Sequence, residues 1–367
     1  MVDIIRRTSR DRILWIALIC ALASLVVGRP TADALNWQTL LSLFALMVTV
    51  QLLQAFRVLD YLSHQLLRLA QNQRRTAQFF TALAFVGAMF VTNDVAILTL
   101  MPMIVLVARQ QPMRLPLVAT LVTLAANLGS AFTPFGNPQN LFLIARYRVG
   151  LGTFFQWSLP LMVTSGLLLA GLTLLVPAKA VPVFHGTPVP VQPAAVLVVT
   201  GLLGLVLLGV FHVLPILWVA GITLVVGLIV HRSAVAHVDY GLLLTFVCFF
   251  VFVSDIRQSP AVIHLMATVT RTPVTVYLTG ILTSQVISNV PATVLLARFT
   301  TSAQALFWGV NVGGLGTLVA SLANLLALKQ LLALGQRSHL KAFVRTFTAL
   351  NLLGLLVLGL VGLIICW

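Results

Sequence analysis

Long apolar runs separated by short polar loops make up most of the chain. A transmembrane helix needs about 20 mostly apolar residues, and seven apolar runs approach or reach that length without an interruption. They are residues 13–28, 37–56, 153–176, 194–211, 214–230, 240–254 and 344–365. We interpret the first run as an uncleaved span rather than a signal peptide, because it continues through Leu25, Val26 and Val27.

Four further apolar stretches are interrupted by polar, helix-breaking residues. Residues 76–108 carry 92–94, residues 115–145 carry 133–140, residues 273–299 carry 288–291, and residues 304–328 carry 311–317. Unpaired backbone in lipid costs several kcal/mol per group, so such breaks survive only inside protein or beside a wet cavity. The pattern therefore predicts four broken elements that are shielded from lipid.

The second and fourth interruptions repeat one another at a constant offset of 184 residues. The pairs are Asn127 and Asn311, Gly129 and Gly313, Thr133 and Thr317, Gly136 and Ala320, Asn137 and Ser321, and Asn140 and Asn324. Upstream, Thr92 and Asn93 correspond to Ser288 and Asn289 at a different spacing. Interrupted apolar segments in corresponding halves indicate the binding site of a transporter.

The amino-acid composition excludes a soluble protein. Only 8% of the residues are charged and 60% are hydrophobic, with a mean hydropathy of +1.06, whereas soluble domains carry about 25% charged residues. The net charge is +15, but the basic residues form short clusters between apolar runs, as membrane topology signals do. We therefore expect the lipid bilayer, and no nucleic acid, as a partner.

The charge distribution leaves the topology open. If residues 76–108 and 273–299 are re-entrant hairpins, about sixteen of the 22 basic residues lie inside and about six outside. If both segments span the membrane, the ratio is again about sixteen to six. Hairpins make the two halves inverted, and spans make them parallel. Residues 57–75 are basic with interspersed leucines, a pattern typical of a helix that lies in the membrane interface. Residues 181–193 are rich in proline and are interpreted as an exposed linker between the halves.

These motifs resemble the ion transporter superfamily, which includes citrate and dicarboxylate permeases, arsenite permeases and sodium/proton antiporters. The matching residues are Thr92-Asn93-Asp94, the run from Thr133 to Asn140, Ser288-Asn289-Val290-Pro291, and the run from Asn311 to Asn324. The chain is most similar to a short CitM-like subgroup of the bacterial inner membrane. Both topologies place the N-terminus in the cytoplasm, and the resemblance implies a homodimer, since relatives are often dimers.

The resemblance also implies a fold class, all-α and integral to the membrane. It comprises about nine transmembrane helices plus two re-entrant hairpins, in inverted repeats with unwound helices at the midplane. A transport domain then moves against a scaffold in alternating access. We expect scaffold in residues 1–75 and 150–259, transport repeats in residues 76–149 and 260–335, and a final span in residues 336–367.

The hairpin tips carry the candidate chemistry. In dicarboxylate members both tips read Ser-Asn-Thr, which contacts substrate carboxylate and frames sodium sites, whereas here they read Thr92-Asn93-Asp94 and Ser288-Asn289-Val290. This departure makes the first tip more similar to the arsenite and antiporter branches. A carboxyl at membrane depth needs a proton, a cation or a wet cavity, so Asp94 is our candidate for coupling transport to H⁺ or Na⁺.

Amides supply donors and acceptors for a solute, hydroxyls add more, and glycines permit open backbone. We predict a substrate and ion site formed by Thr92, Asn93, Asp94, Thr133, Gly136, Asn137, Asn140, Ser288, Asn289, Asn311, Gly313, Gly314, Thr317, Ser321 and Asn324. A sodium ion is expected near Asn93, Asp94 and Asn137. Asp255, beside Arg257, is interpreted as half of an interfacial ion pair.

The sequence predicts a secondary active transporter of a small anion, either a carboxylate or an inorganic oxyanion, coupled to H⁺ or Na⁺. A Na⁺/H⁺ antiporter and an arsenite or metalloid permease of the same superfamily are the alternatives. We find no nucleophile with a matching base, no zinc spacing and no phosphate loop. We therefore expect no enzyme activity, no catalytic residues and no cofactor apart from the coupling ion.

Overall fold

Helices and short connections make up the computed structural model, which describes residues 12–31, 34–57, 61, 72–110, 112–180, 192–256 and 258–366. The α-helices are α1 (Arg12–Ser24), α2 (Trp37–Ala55), α3 (Gln73–Val91), α4 (Asn93–Gln110), α5 (Leu115–Ser130), α6 (Pro138–Tyr147), α7 (Leu151–Thr173), α8 (Pro193–Val210), α9 (Ile216–Val230), α10 (Arg232–Ala236), α11 (Tyr240–Ile256), α12 (Pro260–Val269), α13 (Pro273–Ile287), α14 (Asn289–Leu296), α15 (Ala303–Gly313), α16 (Leu322–Ala333) and α17 (Leu340–Cys366).

The protein is an all-α integral membrane protein, as predicted. Within the described ranges, α2, α7, α8 and the segment Arg337–Cys366 are each long and apolar enough to cross a membrane, and α11 with α12 would add a fifth span. Shorter apolar helices, such as α9 and α13, accompany them. The predicted interfacial helix and linker lie mostly outside the described residues.

Local sequence signals place the helix starts. The side chains of Asn36, Asn72 and Asn137 each accept a hydrogen bond from the backbone N–H three residues later, at 2.9 Å. This bond satisfies one of the donors that a helix start leaves free. Thr272 and Thr275 form a reciprocal capping box before α13. Asn137, at the second predicted break, is therefore a helix cap as well as a candidate site residue.

Both helices that end at the paired breaks run through the interior. In α5 every residue except Pro116 and Leu117 is buried, and in α15 the residues from Ala305 to Gly313 are buried. A helix that is buried all round cannot face lipid. The exposed faces belong instead to helices such as α9, where Leu217 is 70% exposed. The helices that lead into the two breaks therefore lie inside protein, and residues 133–137 of the first break are buried with them, whereas Thr317 and Val319 of the second break are exposed.

The two predicted hairpins surround these central helices. The helices α3 and α4 contact each other on either side of Thr92, and α13 and α14 do so on either side of Ser288. The arm α3 packs closely on α5, and α13 packs in the same way on α15. Since both arms of each hairpin contact the same central helix, α5 or α15, the packing favours the hairpin topology that charge counting left open.

Two equivalent glycines allow this close packing. A Cβ on Gly129 of α5 would overlap the backbone carbonyl of Phe85 on α3. A Cβ on Gly313 of α15 would lie 2.9 Å from the Ser284 side chain on α13. Real Cβ atoms do not come so close to neighbouring atoms, so only glycine lets the helices approach to this distance.

The remaining described helices lie around this centre. The helices α1 and α11 pack on each other, and α2 packs against α8 and α9. The long C-terminal helix α17 contacts both α5 and α15. The division of these elements into a scaffold and a moving domain stays a prediction.

Candidate functional site

Each hairpin turns at one residue with an unusual backbone conformation. Thr92 has φ 85° and ψ 152°, and Ser288 has φ 75° and ψ 153°. Positive φ is uncommon outside glycine and is unfavourable for a β-branched residue such as threonine. Strained backbone of this kind persists only where the surroundings hold it, and such positions cluster at functional sites. The same strain therefore occurs at corresponding places in the two halves.

The residue after each turn fixes the hairpin tip to a broken helix. The backbone N–H of Asn93 donates to the carbonyl of Gly136 at 3.2 Å, and that of Asn289 donates to the carbonyl of Ala320 at 2.9 Å. Gly136 and Ala320 are equivalent in the repeat. Each hairpin thus satisfies one of its free helix-start donors with a carbonyl from a break.

Two crossed amide pairs join the halves. Asn127 donates through Nδ2 to Oδ1 of Asn324 at 2.6 Å, and Asn311 donates through Nδ2 to Oδ1 of Asn140 at 3.0 Å. Asn127 is equivalent to Asn311, and Asn140 to Asn324. Each pair therefore links the first segment of one broken helix to the second segment of the other, and the arrangement has two-fold pseudosymmetry.

A second set of bonds follows the same pseudosymmetry. Nδ2 of Asn137 donates to Oδ1 of Asn311 at 3.0 Å, and the hydroxyl of the equivalent Ser321 donates to Oδ1 of Asn127 at 3.1 Å. The amide of Asn93 also donates to Oδ1 of Asn127, at 3.1 Å. The first hairpin tip therefore joins the network through a side chain as well as through its backbone.

Two of these amides also satisfy carbonyls at the ends of α5 and α15. Their bonds run from Asn140 to the carbonyls of Ala131 and Thr133, at 3.2 and 3.0 Å, and from Asn324 to those of Gly314 and Thr317, both at 3.1 Å. The last carbonyls of a helix have no intrahelical partner. These asparagines therefore stabilise the unwound backbone that the sequence predicts.

The threonine of each break binds the neighbouring hairpin arm. Thr133 donates to the carbonyl of Met89, and Thr317 donates to that of Gln285 at 3.3 Å. Thr133 is buried, whereas Thr317 is exposed. The two breaks thus have the same bonding but differ in access, because protein covers the first and the second opens at the surface.

Two polar atoms at the hairpin tips have no partner. Oδ1 of Asp94 and the hydroxyl of Ser288 are buried, and neither has a hydrogen-bond partner in the described part of the chain. Almost all buried polar atoms in proteins are hydrogen-bonded, so each exception needs an explanation. By contrast, the nearby amides of Asn93, Asn127, Asn140, Asn311 and Asn324 are hydrogen-bonded.

A family model described as "Citrate transporter" matches residues 8–309. The chain belongs to the citrate transporter family. The "Inner membrane protein YbiR" of Escherichia coli is 33% identical over 302 residues, which cover 81% of this chain and 80% of that protein. The "Uncharacterized transporter MJ0456" of Methanocaldococcus jannaschii is 30% identical over 320 residues, 86% of each chain. The predicted family and CitM-like subgroup are confirmed.

In this member of the citrate transporter family, most of the predicted site residues come together. Those whose side chains join the crossed network are Asn93, Asn137, Asn140, Asn311, Ser321 and Asn324. Gly136, Asn289 and Gly314 contribute backbone groups, Thr133 and Thr317 bind hairpin carbonyls, and Gly313 packs on α13. Thr92, Asp94 and Ser288 lie at the tips. Their contact with a solute stays a prediction.

Sequence reasoning missed Asn127 and Gln285 as site residues. Asn127 links three members of the network, and its match to Asn311 in the repeat was the signal that would have included it. Gln285 binds the carbonyls of Gly313 and Leu315 at 2.8 and 3.0 Å. No repeat signal marks Gln285, because the equivalent residue of the first hairpin is Met89.

The predicted sodium ligands Asn93 and Asn137 use their amide oxygens within the fold. Oδ1 of Asn93 accepts from the backbone of Asp94, and Oδ1 of Asn137 accepts from that of Asn140. Within the described ranges, no three His, Cys or Asp side chains group as a metal site. Asp255 is fully buried and accepts from Ser24 at 2.8 Å, whereas its predicted partner Arg257 lies outside the described residues.

Proposed function

We propose that this membrane transporter performs secondary active transport of a small anion, a carboxylate or an inorganic oxyanion, coupled to H⁺ or Na⁺. The observation that carries the proposal is that each strained hairpin tip is hydrogen-bonded to the helix break of its own half, and that crossed amide pairs join the two breaks. Discontinuous helices in repeated halves are the usual binding element of secondary transporters. Helix starts at such breaks carry partial positive charge, which favours an anion.

Asp94 is the residue that we assign to coupling. Its Oδ1 atom is buried without a hydrogen-bond partner among the described residues, and an unpaired buried carboxylate is unfavourable unless it takes up a proton or a cation. A carboxyl that binds an ion in one access state and releases it in the other links ion movement to solute movement. The amides of Asn93 and Asn127 keep the first tip in place beside it.

Alternating access is the mechanism that we assign to the fold. The crossed amide pairs join the two breaks, and the backbone bonds of Asn93 and Asn289 join each hairpin tip to its break, so these elements form one connected unit. The helices α1 and α11, which pack on each other, are not part of this unit. We propose that the unit moves against the surrounding helices and carries the solute with it.

Transport by the purified full chain in liposomes tests the proposal. We expect uptake of at least one carboxylate or oxyanion that depends on an imposed proton or sodium gradient and stops when the gradient is collapsed. Empty liposomes are the control. The absence of gradient-dependent flux across a broad anion panel contradicts the proposal.

Asp94 also favours a second candidate, a Na⁺/H⁺ antiporter. The second tip has Val290 at the equivalent position, so a single acid lies at the tips, and one carboxyl that exchanges H⁺ for Na⁺ suffices for antiport. Proton efflux driven by sodium, with no stimulation by any anion, would favour this candidate. Arsenite sensitivity of a deletion strain would instead favour the metalloid permease of the same superfamily.

A further inference from the structure

A cavity of about 390 Å³ lies beneath the second hairpin tip. The helices α1, α11 and α16 and both arms of the second hairpin line it, and its lining includes Cys20, Phe246, Phe249, Ser288, Val290 and Leu325. It opens at the surface of the protein beside Ile16 and Val286, which are 61% and 73% exposed. We call this cavity the tip recess. Its volume falls within the range of about 300–1,000 Å³ that is typical of small-molecule sites.

The lining of the tip recess is almost wholly apolar. Its two hydroxyl residues are Thr245 and Ser288, and Thr245 already donates to the carbonyl of Gly241 at 2.8 Å. Ser288 is 5% exposed, and its hydroxyl has no partner among the described residues. The helix α14 (Asn289–Leu296) begins at the next residue, so the positive end of its dipole lies beside this hydroxyl.

The lining contains no charged residue among the described residues that form it. A carboxylate can be held at one place, where the Ser288 hydroxyl and the start of α14 meet. A second or third carboxylate of the same solute would lie against side chains such as Phe246, Phe249 and Leu325 without a partner, which is strongly unfavourable. The recess therefore suits a solute with one charged end.

We propose that the tip recess binds the apolar body of an organic monocarboxylate, whose carboxylate accepts a hydrogen bond from Ser288. The inference rests on the proposed function and specifies its substrate class. The rings of Phe246 and Phe249 provide apolar contact area, which favours an aromatic or branched body. A citrate-like tricarboxylate fits the recess poorly, although the family model is named for citrate.

Binding of radiolabelled phenylacetate to the purified full chain in nanodiscs tests the proposal. We expect saturable binding that is displaced by unlabelled phenylacetate, and at least tenfold more weakly by succinate or citrate. Ser288→Ala should weaken the binding about tenfold. Ser165→Ala removes another buried hydroxyl, in α7, that has no partner within the described ranges, and should leave binding within twofold. Ser288→Gly, which adopts positive φ readily, repeats the test without backbone strain.

A second pair of variants tests the location. Cys20→Phe fills the recess from α1 and should reduce phenylacetate binding at least tenfold. Cys248→Phe makes the same change on α11 at a residue that does not line the recess, and should leave binding within twofold. Equal binding in both variants would place phenylacetate elsewhere and overturn the proposal, with bilayer acyl chains then the occupant of the recess.

The recess proposal and the proposed function fail in different ways. If the liposomes transport a dicarboxylate or tricarboxylate while phenylacetate neither binds nor competes, the recess proposal is wrong and the transport proposal stands. If phenylacetate binds as expected but no solute or ion flux follows any gradient, the transport proposal is wrong. Binding with gradient-dependent flux of a monocarboxylate supports both.

Discussion

Asn127 donates a hydrogen bond to Asn324, which lies 197 residues later in the chain, across 2.6 Å. The equivalent Asn311 and Asn140 form the reverse pair at 3.0 Å. Four amides from two broken helices therefore bind one another across the centre of the protein. Most of the asparagines at the breaks are hydrogen-bonded to one another or to backbone carbonyls, whereas Oδ1 of Asp94 and the hydroxyl of Ser288 at the hairpin tips have no partner among the described residues.

Loss of Asn324 should destabilise the protein. Asn324→Ala removes bonds to Asn127, Gly314 and Thr317 and leaves buried groups without partners, at a cost of about 1–3 kcal/mol for each buried group. We expect a clear fall in the midpoint of thermal unfolding, followed by intrinsic tryptophan fluorescence. Asn351→Ala removes a buried amide of α17 that donates only within its own helix, to Phe347, and should lower the midpoint much less. Equal effects of the two variants would argue against the crossed network as a stabilising element.

Asp94 should be needed for coupling but not for folding. Asp94→Asn keeps the size of the side chain and removes the charge, so flux should lose its dependence on the proton or sodium gradient while purification yield and unfolding temperature stay close to wild type. The measurement is flux at a series of pH and sodium values in liposomes. The control is Asp255→Asn, which neutralises a buried acid of α11 and should keep the gradient dependence. Unchanged dependence in Asp94→Asn would remove Asp94 from the coupling mechanism.

Gly129 should not tolerate a side chain. A Cβ there overlaps the backbone of Phe85, and backbone cannot move away as a flexible side chain can, so Gly129→Ala should cost about 1–3 kcal/mol or abolish folding. Detergent stability after solubilisation measures the effect. Gly204 lies in α8 with nothing within 4 Å of its Cβ position, so Gly204→Ala should be neutral or slightly stabilising. Similar behaviour of the two variants would contradict the close packing of α3 on α5.

The hairpin topology predicts which side of the membrane the loop before α5 faces. Pro112→Cys places a thiol at an exposed position of this loop in a chain with Cys20, Cys248 and Cys366 replaced by serine. We expect a membrane-impermeant maleimide to label it only from the cytoplasm. Thr301→Cys is the control, because its loop is external in both topologies and should be labelled from outside. External labelling of Pro112→Cys would mean that the two halves are parallel.

The sequence by itself determined that this protein lies in a lipid bilayer, and it determined where the helices are interrupted. Apolar runs that cannot be covered in water require a bilayer, and each polar interruption coincides with a helix end, at Val91, Ser130, Ile287 and Gly313. The repeat offset also identifies the equivalent residues of the two halves. These features depend on the composition and backbone chemistry of single chain segments, so they can be predicted without knowing how the segments pack.

Only the tertiary structure decided which side-chain amides are hydrogen-bonded within the protein. The sequence treats Asn140 and Asn289 alike as available groups, yet the Asn140 amide binds Asn311 and the end of α5, while Asn289 joins the network through its backbone. Such pairs form between segments 171 to 197 residues apart. Their geometry depends on how the helices pack, since a hydrogen bond needs a distance and an angle that no residue spacing along a chain specifies.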